Sequence, residues 1–320
     1  MRILYLFAKR WYDTKMSMGR WLYGQALANH PDVELKVWGV GWPAYDIKLT
    51  VAQNIKQNLP HFLAQNSHQP GWEPTHVWVY KGEDYIDLPE LRLPKLLVFN
   101  EAYDAQAIRR EMGYVRPTHV VFHHENDYQR WRLDIPLARH MPHAAPHCEI
   151  NPPIVDRQIP CLVTGNLNKA IYPLRNRFSW LVRLHMLPGQ IYVHPGYRLN
   201  DHASVARQYS AYQQQLLNAR LGLGCSSVMK YNLARFVELA MVGTVPVTDH
   251  PDDSAFARYF AKASIIVPTN SSYSTLRRTI KAELRDTTAL QQRSDLLRKT
   301  AEAELSLSRY AQRIVDYLDE

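Results

Sequence analysis

Residues 224–249 read GCSSVMKYNLARFVELAMVGTVPVTD, and the order of apolar, polar and glycine positions in this stretch decides the fold. The apolar run at residues 219–224 has the character of a buried strand. A short polar turn follows, then a helical pattern over residues 233–242. Gly243 stands where a helix commonly ends in a left-handed residue, and a second apolar run covers residues 245–248. Strand, turn, helix and strand in that order form the repeating unit of a parallel sheet covered by helices.

The alternation extends in both directions. Upstream, residues 3–7 form a continuous apolar run, as expected of a strand buried on both faces. A polar loop containing Gly19 leads to a helix at 20–29, a strand at 33–40, a helix at 51–65, and strands at 75–80 and 95–100. A helix at 105–112 and a strand at 118–123 complete this part. Pro142, Pro146, Pro152, Pro153 and Pro160 then interrupt the pattern, because proline suits neither a helix interior nor a central strand. Beyond them come strands at 161–164, 190–193, 219–224, 245–248 and 264–267, with helices at 177–187, 204–216 and 233–242. The chain is helical from 274 onward and has a separate last helix at 308–318. The expectation is two doubly wound α/β domains, 1–145 and 161–305, joined by a Pro-rich linker at 146–160 and followed by a final segment 306–320. Open α/β sheets bind ligands beyond the carboxyl ends of their strands, so the loops after Phe7, Tyr80, Asn100, His123, Thr164, Val193 and Gly224 should face a common cleft.

Composition narrows the class. The 320 residues are 46% hydrophobic and 21% charged, and their 8 Trp, 19 Tyr and 8 Phe exclude a disordered chain. No run approaches the ~18 apolar residues of a membrane span. Arg2 followed by five apolar residues and then Lys9-Arg10 does not read as a secretory signal. Three scattered cysteines, Cys148, Cys161 and Cys225, build neither a disulfide framework nor a thiolate metal site, so a reducing, cytoplasmic setting is expected. The net charge is +8. Residues 1–150 hold 17 Lys and Arg against 16 Asp and Glu, and residues 151–320 hold 21 against 14. A basic second half suits a nucleic acid, an anionic lipid surface or a phosphorylated small substrate.

The chemistry concentrates in the opening stretch. Ser226 and Ser227 precede the helix, where free N–H groups and the dipole favour an anion, and Lys230 and Arg235 add positive charge. Glu238, three residues after Arg235, can accept from two adjacent hydroxyls, as a ribose offers. A solvated helix face with i,i+3 pairing is the structural alternative. Arg175 and Arg177 offer guanidinium forks for a phosphate, and His194 sits at a strand end beside Pro195-Gly196.

The run Arg235-Phe-Val-Glu238-Leu-Ala-Met-Val-Gly243-Thr-Val-Pro246-Val resembles the E-A-M-A-x-G-x-P-V segment of GT-B glycosyltransferases that use nucleotide-diphosphate sugars. Gly165, Tyr172-Pro173-Leu174-Arg175, His194-Pro195-Gly196-Tyr197, Lys230-Tyr231, Arg235 and Glu238, in that order, are similar to the CgeB-like spore-maturation branch, over residues 160–250. The resemblance implies a GT-B-like fold in which 1–145 binds the acceptor, 161–305 binds the donor and the last helix, 306–320, crosses back to the first domain. It also implies a hexosyltransferase with a uridine-linked donor and retaining chemistry. It further implies donor contacts from Gly165, Arg175, His194, Ser227, Lys230, Tyr231, Arg235 and Glu238, with Glu238 on the ribose. The related retaining families carry a glutamate eight positions before the ribose-binding one, and Lys230 stands there instead. No metal or other cofactor is expected, since arginines and helix N-termini can stabilise a departing diphosphate.

On the acceptor side, Asp13, Asp104 and His124 are the base candidates, each just after a strand. Lys9–Arg20 and Arg130-Trp131-Arg132 interleave cations with rings, compatible with a hydroxymethylated base in DNA as acceptor. A glycan or small molecule is the other acceptor. A non-catalytic nucleotide- or glycan-binding protein and a nucleotide-sugar epimerase are the rival functions.

Overall fold

A computed structural model describes residues 1–15, 18–66, 71–192 and 202–320. The first half runs β1 (Arg2–Leu6), α1 (Lys9–Lys15), α2 (Met18–Ala28), β2 (Glu34–Trp38), α3 (Val51–Gln57), α4 (Leu59–Asn66), β3 (His76–Val79), β4 (Lys95–Phe99), α5 (Ala105–Val115), β5 (His119–Phe122), α6 (Glu125–Trp131) and β6 (Ala138–His140). The second half runs β7 (Ile159–Thr164), α7 (Pro173–Arg183), β8 (Gln190–Tyr192), α8 (His202–Leu217), β9 (Ala219–Leu223), α9 (Ala234–Met241), β10 (Val245–Thr248), α10 (Ser254–Tyr259) and β11 (Ile265–Ile266). Three helices close the chain: α11 (Tyr273–Glu283), α12 (Thr287–Glu304) and α13 (Leu307–Leu318).

Each half is a parallel sheet. The orders are β2-β1-β3-β4-β5-β6 and β11-β10-β9-β7-β8. Counted within its own half, the first follows the order 2-1-3-4-5-6 and the second 2-1-3-4-5, so the chain reverses its direction of winding between the first and third strands of each sheet. Those switch points open a crevice at the carboxyl ends of β1 and β3, and of β7 and β9. Central strands are buried along their length, as in β1 and β10, because helices cover both faces. One face of the first sheet packs Tyr5, Phe7, Trp78 and Val121; the other packs Leu4, Leu6, Val77 and Val79.

Helix α13 completes the first sheet although it ends the chain. Tyr310, Ile314, Val315 and Leu318 lie in the same core as Ile3 and Tyr5. The Tyr317 hydroxyl accepts from Val120 N at 3.0 Å and donates to the Leu137 carbonyl. Chain crossings run side by side, with Ala145 N donating to Leu305 O at 3.1 Å.

Several boundaries depart from the sequence reading. Residues 51–65 form two helices, not one, because Pro60 has no N–H to continue the ladder past Asn58, which caps α3. The loop expected at Lys9–Arg20 is largely helical, and Met16 and Ser17 lie outside the described residues. Helix α7 starts at Pro173, four residues before the expected start, with proline in its favoured first-turn place. Strand β7 begins at Ile159, inside the segment read as linker. That segment is anchored by Arg157, 1% exposed. Its guanidinium donates to Pro152 O, Ala219 O, Val242 O, Thr244 Oγ1 and Asn151 Oδ1 at 2.9–3.1 Å.

Candidate active site

Strand β7 ends at Thr164, and Gly165 follows at φ +91°. Two guanidinium groups meet over this glycine: a Cβ there would lie 3.0 Å from Arg175 Nη1 and 3.0 Å from Arg235 Nη2. Arg175 comes from the first turn of α7 and is 3% exposed, its cation 4.2 Å from the Tyr172 ring centroid and its Nη1 donating to Asn166 O at 3.1 Å. Arg235 comes from the first turn of α9, over the Tyr212 ring at 5.5 Å. Arg175 Nε and Arg235 Nη1 are buried donors with no acceptor among the described residues. Neither arginine pairs with a carboxylate there. Burial first, and the neighbouring Arg235 charge second, lower the Arg175 pKa to about 10. Two cations held together with unused donors, at the β7/β9 switch point, form a cradle for an anion.

Glu238 lies one turn further along α9, half-buried, accepting from the Tyr212 hydroxyl at 2.7 Å. Burial, then the Glu238 charge, push the Tyr209 phenol up. A carboxylate beside the arginine pair places a hydroxyl acceptor next to an anion cradle.

Lys230 and Ser227 take other work. Lys230 Nζ donates to Asp249 Oδ2 at 2.9 Å and to Thr269 Oγ1 at 3.1 Å. Asp249, 2% exposed, also accepts from Ser226 N at 2.7 Å and from Thr269 Oγ1 at 2.8 Å. Burial raises its pKa, but the Lys230, Ser226 and Thr269 bonds outweigh burial and hold it below the usual carboxylate range. Lys230 is therefore a clamp on the 225–231 turn and not a free phosphate cation, since the buried carboxylate requires compensation. That clamp keeps Ser227 and Lys230 at φ +67° and +58°, a left-handed conformation that non-glycine residues adopt at a cost. Ser226 and Ser227 do not sit at the helix N-terminus, because α9 begins only at Ala234.

Tyr231 points away from the cradle, toward the first half. Its hydroxyl donates to Asp127 Oδ1 at 2.7 Å, and its ring stacks on His124 at 4.0 Å and 3°. Nearby, Asn126 Nδ2 donates to Met229 O at 3.2 Å. The N-termini of α6 and α10 exchange carboxylates: Glu125 N donates to Asp253 Oδ2 at 3.4 Å and Ser254 N to Glu125. The carboxyl ends of the two sheets thus face each other. His124, 1% exposed, joins His123 and His143 in a buried cluster. Burial first, and the neighbouring histidines second, lower its pKa to about 3 and push His143 well below its usual value. Both are neutral in the fold, whereas an unfolded histidine binds a proton near pH 6.5. Unfolding therefore takes up protons below that pH, and stability falls on acidification. By about pH 5 each histidine costs up to ~2 kcal/mol. Urea midpoints measured from neutral pH down to pH 5 should drop steadily; a flat profile would refute the neutral assignment.

The remaining sequence candidates are dispersed. Asp13 pairs with Lys9 at 2.9 Å on α1. Asp104 caps α5, accepting from Gln106 N and Ala107 N at 3.0 and 3.1 Å. Arg177 donates to Thr269 O and Ser271 O. His194 lies outside the described residues. Asp249, Asp127, Tyr212 and Thr269 were not singled out by sequence. Asp249 stands at the carboxyl end of β10, the one positional signal that marked it.

No family model matches the sequence, and no curated protein matches it. Solved structures do share the fold. Sucrose-phosphate synthase from Thermosynechococcus elongatus superposes at a TM-score of 0.63 with 12% identity, covering 99% of this chain and 98% of that one. HepE from Anabaena, in complex with UDP and glucose, gives 0.62 and 11%, covering 100% of both chains. An α-glucosyltransferase in complex with UDP and a 13-mer DNA containing an HMU base gives 0.64 and 11%, again covering 100% of both. The fold is of the GT-B type, two facing parallel-sheet halves with the last helix returned to the first.

Proposed function

We propose that the protein is a glycosyltransferase that moves a hexosyl group from a uridine-diphosphate sugar to an acceptor hydroxyl. The convergence of Arg175 and Arg235 on Gly165, with buried donors left open, carries this reading. A diphosphate supplies the missing acceptors and cancels the repulsion between the guanidinium groups. Glu238 then takes the ribose hydroxyls. HepE bound to UDP and glucose, in the same fold over its full length, supports uridine as the base. The motif order of the spore-maturation branch supports the same assignment.

In the transfer, the bond between the anomeric carbon and the diphosphate oxygen breaks, its electron pair stays on the diphosphate, and the acceptor oxygen forms the new bond. Arg175 and Arg235 stabilise the developing charge, the part a divalent cation plays elsewhere, so the reading requires no metal. In a retaining course the acceptor oxygen approaches from the face the diphosphate leaves, and a diphosphate oxygen takes its proton. This suits a site where Asp104 is committed to a helix cap and His124 to a stacked, neutral ring. Asp13, half-exposed beyond β1, is the base for an inverting course.

A glycan or small molecule is the favoured acceptor. Trp11 Nε1 donates to Asp84 Oδ2 at 2.7 Å, and Arg10 pairs with the same carboxylate. Trp131 is 4% exposed, core rather than a base-stacking platform. A DNA acceptor has one supporting observation, the HMU-containing DNA bound by the α-glucosyltransferase.

Incubation with a panel of labelled nucleotide sugars, following UDP release with and without acceptors, tests the reading. Binding without consumption of any donor would indicate the non-catalytic alternative, and sugar inversion without transfer the epimerase. Glu238→Gln keeps one acceptor oxygen and removes the charge, so donor affinity should fall about tenfold, ~1.4 kcal/mol. Calorimetry with UDP against free diphosphate reads this: equal losses for both ligands would place Glu238 off the ribose.

A further inference from the structure

Two cations of the second half are absorbed by the cradle and two more, Arg157 and Lys230, by the fold. A further group gathers on one outer face. Helices α7 and α11 lie side by side: Arg177 of α7 donates to Thr269 O and Ser271 O just before α11. At the other end, His185–Gly189 and Lys281, Leu284 and Arg285 line one hollow of about 570 Å³. The outward residues of α7 and its end are Trp180, Arg183 and Leu184, with Trp180 44% and Leu184 60% exposed. The Arg183 guanidinium lies 5.7 Å from the Trp180 ring centroid. Helix α11 adds Tyr273, 44% exposed, together with Arg277, Arg278 and Lys281, and the turn after it adds Arg285. None of these five cations pairs with a carboxylate among the described residues. The acids nearest in sequence are few: Glu283 is half-buried, and Asp286 caps α12 through Ala289 N.

We infer that this α7–α11 face docks on an anionic lipid bilayer surface. The mixture on the face favours that partner. Clustered Lys and Arg are drawn to anionic headgroups, and an exposed Trp beside an Arg suits the headgroup level. Leu184 and Trp180 gain by entering the apolar boundary, which a nucleic acid backbone does not offer to an aliphatic side chain. The hollow, apolar at Met186, Leu187, Pro188 and Leu284 and cationic at Lys281 and Arg285, is shaped to receive a phospholipid headgroup phosphate with its glycerol against the apolar side. Gly165 and the arginine cradle lie at the carboxyl end of β7, whereas this hollow adjoins the start of β8, so docking leaves the cradle open. The inference rests on this surface and not on the sugar-transfer reading.

The test is co-sedimentation of the full chain with vesicles of phosphatidylglycerol and phosphatidylcholine, against phosphatidylcholine alone, at about 0.1 M salt. The expected result is binding to the anionic vesicles only, weakened by added salt. The combined Arg277→Glu, Lys281→Glu and Arg285→Glu variant should bind roughly a hundredfold more weakly, since each surface cation contributes about a fivefold factor. Trp180→Ser with Leu184→Ser should lose about tenfold while keeping the charge. Thermal melting and UDP binding should be unchanged in both variants, because all five residues are outside the cradle and the core. Failure of the native chain to sediment with anionic vesicles would overturn the inference. So would undiminished binding by the charge-reversed variant, or capture of duplex DNA by these residues with no binding to vesicles.

Discussion

On the proposed reading, replacing Arg235 with alanine should lower the affinity for UDP roughly a hundredfold, and replacing Arg175 should do the same, each change corresponding to ~2–4 kcal/mol. The reasoning begins with the unliganded site. Arg175 Nε and Arg235 Nη1 are buried without acceptors, and the two guanidinium groups repel each other over Gly165. The protein carries that unfavourable arrangement, and an incoming diphosphate relieves it by adding charge-assisted hydrogen bonds in a partly desolvated place. Removing one arginine takes away those bonds but also the repulsion on the other. Arg235→Ala should therefore keep its thermal stability while losing ligand, whereas Arg175→Ala also gives up the bond to Asn166 O and the Tyr172 contact and should melt lower. Uridine, which lacks the diphosphate, should bind all three proteins alike. Calorimetry with UDP and uridine, alongside melting curves, reads every arm; an equal loss for both ligands would reduce the arginines to a structural role. Gly165→Ala provides a further check, since its methyl group enters the cradle and meets both guanidinium groups.

Arg157→Ala should make the protein unfold much more readily, with an expected stability loss of ~3–5 kcal/mol. Arg157 is a buried cation without a carboxylate partner, and burial lowers its pKa to about 10. It is held by Val242 O at the C-terminus of α9, by Pro152 O in the crossing segment and by Ala219 O at the start of β9, which also accepts from Thr244 Oγ1 at 3.2 Å. The α9 C-terminus contributes the negative end of its dipole. Truncation takes the guanidinium bonds from Val242 O and Pro152 O, leaves Ala219 O with Thr244 Oγ1 alone, and opens a cavity beside Gly243 and Ser294, whose hydroxyl donates to Gly243 O at 2.6 Å. Chemical denaturation should show a fall in midpoint with a normal slope. Arg157→Lys restores the charge but not the fork, so it should recover only a minor part of the loss. A variant as stable as the native chain would show that water replaces the guanidinium at no cost.

Much of the architecture was legible because it is local. Strand-length apolar runs separated by helix-period segments imply parallel sheets covered on both faces, and Gly243 marks the end of α9 with a left-handed φ of +66°. Arg235 and Glu238 share one helix, so their neighbourhood follows from spacing alone. Arg175 could be placed near them once β7 and β9 were read as strands whose carboxyl ends share a crevice. The interruption at Pro60 was also written locally, and the sequence reading passed over it because the apolar periodicity continues through 51–65.

The charges were legible as residues but not as pairs. Lys230 looks free in sequence; its carboxylate, Asp249, lies 19 positions away, just past the strand that α9 leads into. Tyr231 adjoins Lys230 in the chain, yet its partner Asp127 is 104 positions away and across the cleft. Arg157 sits in a segment whose prolines signalled a linker, and only the packed second half shows that its guanidinium closes the ends of several elements. Backbone propensity and hydrophobic period act over a few residues and therefore determined which elements form and which faces are buried. Which ionised group meets which is settled by desolvation, when a buried charge must find a partner among whatever the assembled sheets bring near. That choice belongs to the tertiary structure.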